Sequence, residues 1–205
     1  MIGKGELIEL VTLRVDGATS TERKKKFDPR YIAYVVGTEY KKVLEGYVLR
    51  MDWDSLDAYT KTYTGVSVAQ DATTDVYYST LPENVVALPT PGSGVRRVST
   101  TDGASVEFVP MTNNELQTIE GLEVDTVDDV IGYVFKNGRV EYYGMTSAIT
   151  QVRMDLLIPF EAYDDDDTLQ IPSGVEYDII EASVAKLILT PNYDQLNDNN
   201  TVNTT

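Results

Sequence analysis

Ile131-Gly-Tyr-Val-Phe-Lys136, Asn137-Gly138 and Arg139-Val-Glu-Tyr-Tyr143 decide the fold. Two runs of β-branched and aromatic residues flank a dipeptide that accepts two positive φ angles. That combination predicts a β-hairpin closed by a two-residue type I′ turn. The surroundings read the same way. Val76-Tyr77-Tyr78 predicts a strand upstream. Val95-Arg-Arg-Val98 and Val106-Glu-Phe-Val109 flank Asp102-Gly103 and predict a second hairpin. Val152-Arg-Met-Asp-Leu-Leu-Ile158 predicts the last strand, stopped by Pro159.

Away from this centre the period changes. After Asp28, a good N-cap, and Pro29, suited to a first helical position, apolar residues recur at Ile32, Val35, Val36, Tyr40, Val43, Leu44, Tyr47 and Val48. Spacings of three and four predict one helix over residues 29–50. A shorter helix is expected over residues 53–60, capped by Asp52 or Asp54. Near the other end, Ser173 and Glu176 match a capping box ahead of a stripe at Ile179, Ile180, Val184, Leu187 and Ile188, with Pro191 as the stop. Residues 6–16, rich in Leu and β-branched residues, predict a strand or extended arm. The fold class is α+β: N- and C-terminal helices packed together, with an inserted β-rich lobe of antiparallel hairpins. The expected organisation is an arm and helical part (1–62), the β lobe (63–160), an acidic loop with a helix returning to the N-terminal helices (161–192), and a flexible polar tail (193–205).

Composition narrows the chemistry. The 205 residues contain no Cys and no His. A Ser-His-Asp triad, an imidazole base, a His-ligated zinc and a thiolate nucleophile are all excluded. The net charge is −16, which argues against tight wrapping of nucleic acid, because phosphate contacts need Lys and Arg. Tyr stands at 14 residues against 4 Phe and 1 Trp, a bias suited to half-buried sheets and interfaces. No apolar run is long enough to span a membrane, and the first residues lack a signal-peptide pattern. A cytoplasmic site of synthesis and no membrane partner are therefore expected.

The candidate partner-contacting residues are charged. Arg23, Lys24, Lys25, Lys26 and Arg30 form the strong basic patch and fit phosphate or an acidic protein surface. Asp164, Asp165, Asp166 and Asp167 form an acidic loop. An EF-hand started at Asp165 fails, because its sixth position is Gln170 rather than Gly and its fifth is Leu169, so a solvated or partner-facing loop is expected. Tyr193 opens the polar tail and completes the set. Gly92-Ser93-Gly94 precedes a strand rather than a helix and is no phosphate loop. Asp52 and Asp54 flank Trp53, as acids beside an aromatic do in sugar sites, and also as an ordinary helix start does. No catalytic, cofactor-binding or metal-ligating residue is assigned, and no enzyme activity is expected.

Three stretches carry a resemblance: the helix of residues 29–50; Leu156-Leu-Ile-Pro-Phe-Glu-Ala-Tyr-Asp-Asp-Asp-Asp; and Leu169-Gln-Ile-Pro-Ser-Gly-Val-Glu-Tyr-Asp-Ile-Ile with the tail Asp194-Gln-Leu-Asn-Asp-Asn-Asn. Together they resemble the head–tail connector or ring proteins of tailed bacteriophages, especially the crAss-like podoviruses. The resemblance implies a virion protein at the head–tail junction, in a homo-oligomeric ring of about twelve copies. Its implied partners are the portal and other tail or ring proteins, with DNA passing through the channel without sequence-specific binding. The other classes open to the sequence are a surface carbohydrate-binding or adhesin module and a carboxylate-based hydrolase.

Overall fold

A computed structural model describes residues 2–18, 27–88, 92–101, 106–112, 115, 130–169, 171–172 and 174–189. The chain divides into two compact units, Met1–Leu44 with Tyr163–Thr205, and Glu45–Ala162.

The first unit is helical. Residues 6–16 are not a strand: they lie within helix α1 (Lys4–Ala18). Leu7, Val11 and Val15 are spaced by four and are almost completely buried, so one helical stripe sinks into the core. Packing along that stripe outweighs the β propensity of Val and Ile, whose local preference is weak. Helix α2 (Pro29–Leu49) follows. Asp28 caps it as expected, its Oδ1 accepting the amide of Arg30 at 2.7 Å. Ile32, Val35, Val36, Tyr40 and Leu44 form its buried stripe. Helix α4 (Val175–Leu189) packs on α1, and its stripe of Ile179, Ile180, Val184 and Leu187 is buried. Arg14 of α1 pairs with Glu181 of α4 and lies 5.1 Å from the centre of the Tyr177 ring. The buried carboxylate of Glu39 on α2 accepts from Lys186 of α4 at 3.4 Å and from Lys42 at 2.9 Å. The packing of terminal helices is thus present. Ser173 and Pro191 lie outside the described residues.

The second unit opens with the end of α2 and helix α3 (Trp53–Asp57), capped by Asp52, which accepts the amide of Ser55 at 3.2 Å. The rest is sheet. Strand β1 (Ile2–Gly3) and strand β10 (Thr168–Leu169) belong to the first unit; the second holds two sheets. One has three antiparallel strands in the order β2 (Lys61–Ser67), β9 (Gln151–Leu156), β5 (Val95–Thr100). The other has five, in the order β3 (Ala69–Gln70), β4 (Tyr77–Thr80), β8 (Arg139–Tyr143), β7 (Val130–Lys136), β6 (Glu107–Pro110).

The Asn137-Gly138 hairpin is present. Lys136 pairs with Arg139, and the two turn residues take φ of 52° and 76°. The hairpin expected around Asp102-Gly103 is not formed by its two arms. β5 pairs with β9, and β6 pairs in parallel with β7, so the arms enter different sheets. The five-stranded sheet is therefore mixed rather than a set of antiparallel hairpins. Strand β9 is not the last strand either: it is the central one of its sheet, and β10 follows it in sequence. The Asp102-Gly103 turn itself lies outside the described residues.

Candidate interaction surfaces

The acidic run does work inside its own unit. Asp167 closes a turn by donating its amide to the Asp164 carbonyl, and the Asp167 carboxylate accepts the Asp164 amide at 3.1 Å. The carbonyls of Asp167 and Asp165 then accept the amides of Lys4 and Gly5 at 3.0 and 3.1 Å. Those amides open α1 and have no partner within the helix, so the acidic turn is its N-terminal cap. The Lys4 ammonium donates to the Tyr163 carbonyl and lies 3.7 Å from Asp165. The side chains of Asp164, Asp165 and Asp166 remain exposed. Among the described residues no group of three or more acidic, His or Cys side chains is placed to hold a metal.

The start of α2 presents aromatic rings to solvent. Phe27, Tyr31 and Tyr34 recur at spacings of four and three on one helix face, and their rings stack in series. Their centroids are 6.0 and 6.5 Å apart, with interplanar angles of 27° and 25°. Tyr34 is 62% exposed. Arg30, one of the basic candidates, is exposed in the same turn. Each of the other three described helices carries an acid in its first turn; α2 carries none. Arg23, Lys24, Lys25 and Lys26 lie outside the described residues, as does Tyr193.

In the second unit the end of α2 makes a different surface. The amide of Asp52 donates to the Tyr47 carbonyl, and that of Met51 to the Val48 carbonyl. This pairing is the Schellman termination, in which the residue after the C-cap is left-handed and normally Gly. Here it is Met51, at φ 56°. Left-handed backbone costs a residue with a side chain about 1–2 kcal/mol. Met51 gains little for it inside the chain, because it is 75% exposed and stands beside Leu49 at 81%. Trp53 is partly exposed next to them. Arg96 lies 5.2 Å from the centre of its ring and donates from Nε to Asp57 at 2.9 Å. Met51→Gly is expected to stabilise the fold by about 1 kcal/mol, read as a higher urea midpoint with an unchanged slope. An unchanged or lower midpoint would show that Met51 packs usefully within the chain.

A half-buried ionic group sits on the five-stranded sheet, with Glu141 its one buried member. Arg139 donates to Glu141 at 2.8 and 2.6 Å and to Asp71 at 3.1 Å, and its guanidinium lies 4.7 Å from the centre of the Tyr78 ring. Tyr143 donates its hydroxyl to the other Glu141 oxygen at 3.2 Å. The Thr73 amide first, and Arg139 next, hold the Asp71 carboxyl below the usual aspartate value. A depressed folded value favours the folded state above the ordinary carboxylate range, and the gain disappears as pH falls through the folded value. Asp71→Asn is therefore expected to lower stability most at neutral pH and little in acid below the folded value, which flattens the acid limb of a stability–pH curve. A parallel shift at all pH values would contradict this.

A cleft of about 380 Å³ lies beside the hairpin turn, lined by Thr80, Leu81, Glu83, Asn84, Ser93 and Phe135 among others. Two of its polar side chains, Glu83 and Ser93, are engaged by the backbone. Glu83 accepts the Asn84 amide at 3.1 Å, and Ser93 Oγ donates to the Val86 carbonyl and accepts the Leu88 amide, both at 3.1 Å. Asp52 is committed as the cap of α3 and Asp54 is exposed on its first turn, so this acid pair is explained by helix termination.

No protein-family model matches the chain, and no curated protein matches its sequence. No described helix is long and apolar enough to cross a membrane.

Charge runs led the reading of the sequence to the acidic turn and to Arg30. The ring ladder on α2 and the exposed end at Leu49 and Met51 were missed. The ladder had a signal, the spacing of Phe27, Tyr31 and Tyr34 on the face opposite the apolar stripe. Met51 had none, because left-handed backbone at a Met has no sequence mark.

Proposed function

We propose that the chain is a virion structural protein, a subunit of a ring that joins the portal of a tailed bacteriophage to its tail and forms part of the DNA channel. The observation that carries this reading is the end of α2. Large apolar side chains at Leu49 and Met51 stand in solvent on a backbone conformation that costs free energy. Exposed apolar side chains of this kind mark contacts with another macromolecule, and Met and aromatic residues are enriched in such contacts. The resemblance in residues 29–50, 156–167 and 169–180 supplies the identity of the assembly. The charge of −16 supports a surface past which DNA slides without adhering, since a like-charged wall offers phosphates no counterion to replace.

The test mixes the purified chain with a phage portal and images the product at low resolution. A closed ring of about twelve copies, seated coaxially on the portal, is the expected result. A chain that stays monomeric alone and with portals sinks the reading.

A further inference from the structure

We propose that Met51 is an oxidation site, at which a peroxide converts the thioether to a sulfoxide and so weakens the contact made by the end of α2. That this contact builds a ring rests on the function proposed above. That Met51 is the favoured target rests on the fold alone.

The chain has five methionines and no cysteine, so thioethers are the sulfur it offers to an oxidant. Four of the five lie among the described residues, and the fold places them unequally. Met154, on β9, is 0% exposed and Met145 is 8% exposed. Met111 is partly buried, with its sulfur seated so closely on Gly132 that a methyl group there would collide with it. Met51 is 75% exposed. Oxidation follows access to the sulfur, so a peroxide in solution meets Met51 first, and the other three wait for the structure to open.

The step balances without a cofactor. The sulfur lone pair attacks one oxygen of hydrogen peroxide, and an S–O bond forms as the O–O bond breaks. The departing hydroxide takes the proton left on the transferred oxygen and becomes water. Sulfur gives up two electrons and the peroxide accepts them. The product carries a polar, chiral S=O group where an apolar thioether stood, and a sulfoxide reductase reverses it.

Position makes the change consequential. Met51 stands beside Leu49, at 81% exposure, and the partly exposed Trp53. A contact that covers these side chains would also bury the sulfoxide oxygen, and a buried polar group without a partner opposes association. The left-handed backbone at φ 56° favours glycine, and a leucine there would supply as much apolar area. What methionine adds is a flexible stem and an oxidisable sulfur. Inside an assembled contact that sulfur is covered, so oxidation acts on the free subunit.

The experiment treats the purified full chain with dilute hydrogen peroxide and follows each methionine by peptide mass spectrometry. Met51 is expected to oxidise at least about tenfold faster than Met111, Met145 and Met154. Equal rates, or a faster Met111, overturn the inference whatever the chain assembles into. The oxidised chain is then mixed with a phage portal, beside untreated chain and a Met51→Leu variant tested before and after the same treatment. Circular dichroism checks that the fold survives. Oxidation is expected to raise the concentration needed for ring formation by about tenfold or more, and a sulfoxide reductase with a thiol is expected to restore it. Peroxide is expected to leave the Met51→Leu variant assembling as it did before treatment, which excludes damage at the other methionines. Oxidised and untreated chains that form rings alike overturn the inference and leave the ring reading standing. A Met51→Leu variant weakened by peroxide as strongly as the natural chain does the same. Untreated chain that stays monomeric, alone and with portals, overturns both.

Discussion

Gly94→Ala is expected to destabilise the second unit by about 3 kcal/mol, at the upper end of what overpacking costs. A methyl group placed there would lie 2.8 Å from the Val85 Cβ, 2.8 Å from the Val86 carbonyl oxygen and 2.9 Å from the Leu157 carbonyl oxygen. Two of the three obstacles are backbone, and that backbone is tied. The Val86 amide donates to the Leu157 carbonyl, and the Leu157 amide donates to Gly94, each at 2.8 Å. The φ of Gly94 is not left-handed, so lack of space, rather than backbone conformation, requires glycine here. Gly132→Ala is the internal comparison. The three atoms its methyl group would meet first all belong to the side chain of Met111, and a Met side chain swings aside at little cost. Urea unfolding of the two variants should separate them by at least about 2 kcal/mol. Equal losses would show that the backbone around Gly94 yields as readily as a methionine does.

Tyr142 carries the second large effect. It is buried at the centre of the five-stranded sheet, opposite Tyr133 on β7 and Tyr77 on β4, with Phe108 edge-on at 6.0 Å and 80°. Tyr142→Ala should cost about 3–5 kcal/mol, the range for truncating a buried aromatic ring. Tyr142→Phe should behave in the opposite way. The Tyr142 hydroxyl is buried beside the equally buried Ser79 hydroxyl, and neither makes a well-formed hydrogen bond. A buried polar group without a partner opposes folding, so its removal is expected to be neutral or stabilising by up to about 1 kcal/mol. Burial raises the ionisation of this phenol well above the usual tyrosine range, and that of Tyr133 to about 12. Thermal unfolding of both variants checks the pair. A Phe variant that loses more than about 1 kcal/mol would mean that the hydroxyl has a partner that matters.

The local elements of the chain were legible where one signal acted alone. Asp28-Pro29 and the stripe from Ile32 to Val48 marked α2, and Asp52 marked α3. Asn137-Gly138 marked its hairpin, because no other dipeptide so readily supplies two left-handed residues. The α+β class followed from these. Residues 6–16 were misread because Val and Ile favour strands locally, while the spacing of Leu7, Val11 and Val15 favours a helix only when something stands ready to cover it. Helix α4, near the other end of the sequence, does so.

Of the candidate surfaces, the charges were legible and their employment was not. The sequence shows four consecutive aspartates. The fold uses the main chain of that turn, rather than its carboxylates, to cap α1. A main-chain carbonyl has no letter in a sequence, so such a role is invisible there.

By itself, then, the sequence determined the helices with caps, the hairpin with its turn, the absence of thiol and imidazole chemistry, and the excess of negative charge. Each of these depends on residue type or on neighbours within a few positions. Tertiary structure alone decided that β5 and β6 enter different sheets, that β6 runs parallel to β7, that Gly94 has no room for a methyl group, and that Met51 takes a glycine's place. Those outcomes depend on which distant segment arrives alongside, and the free energy of long-range packing exceeds the local preferences that a sequence records.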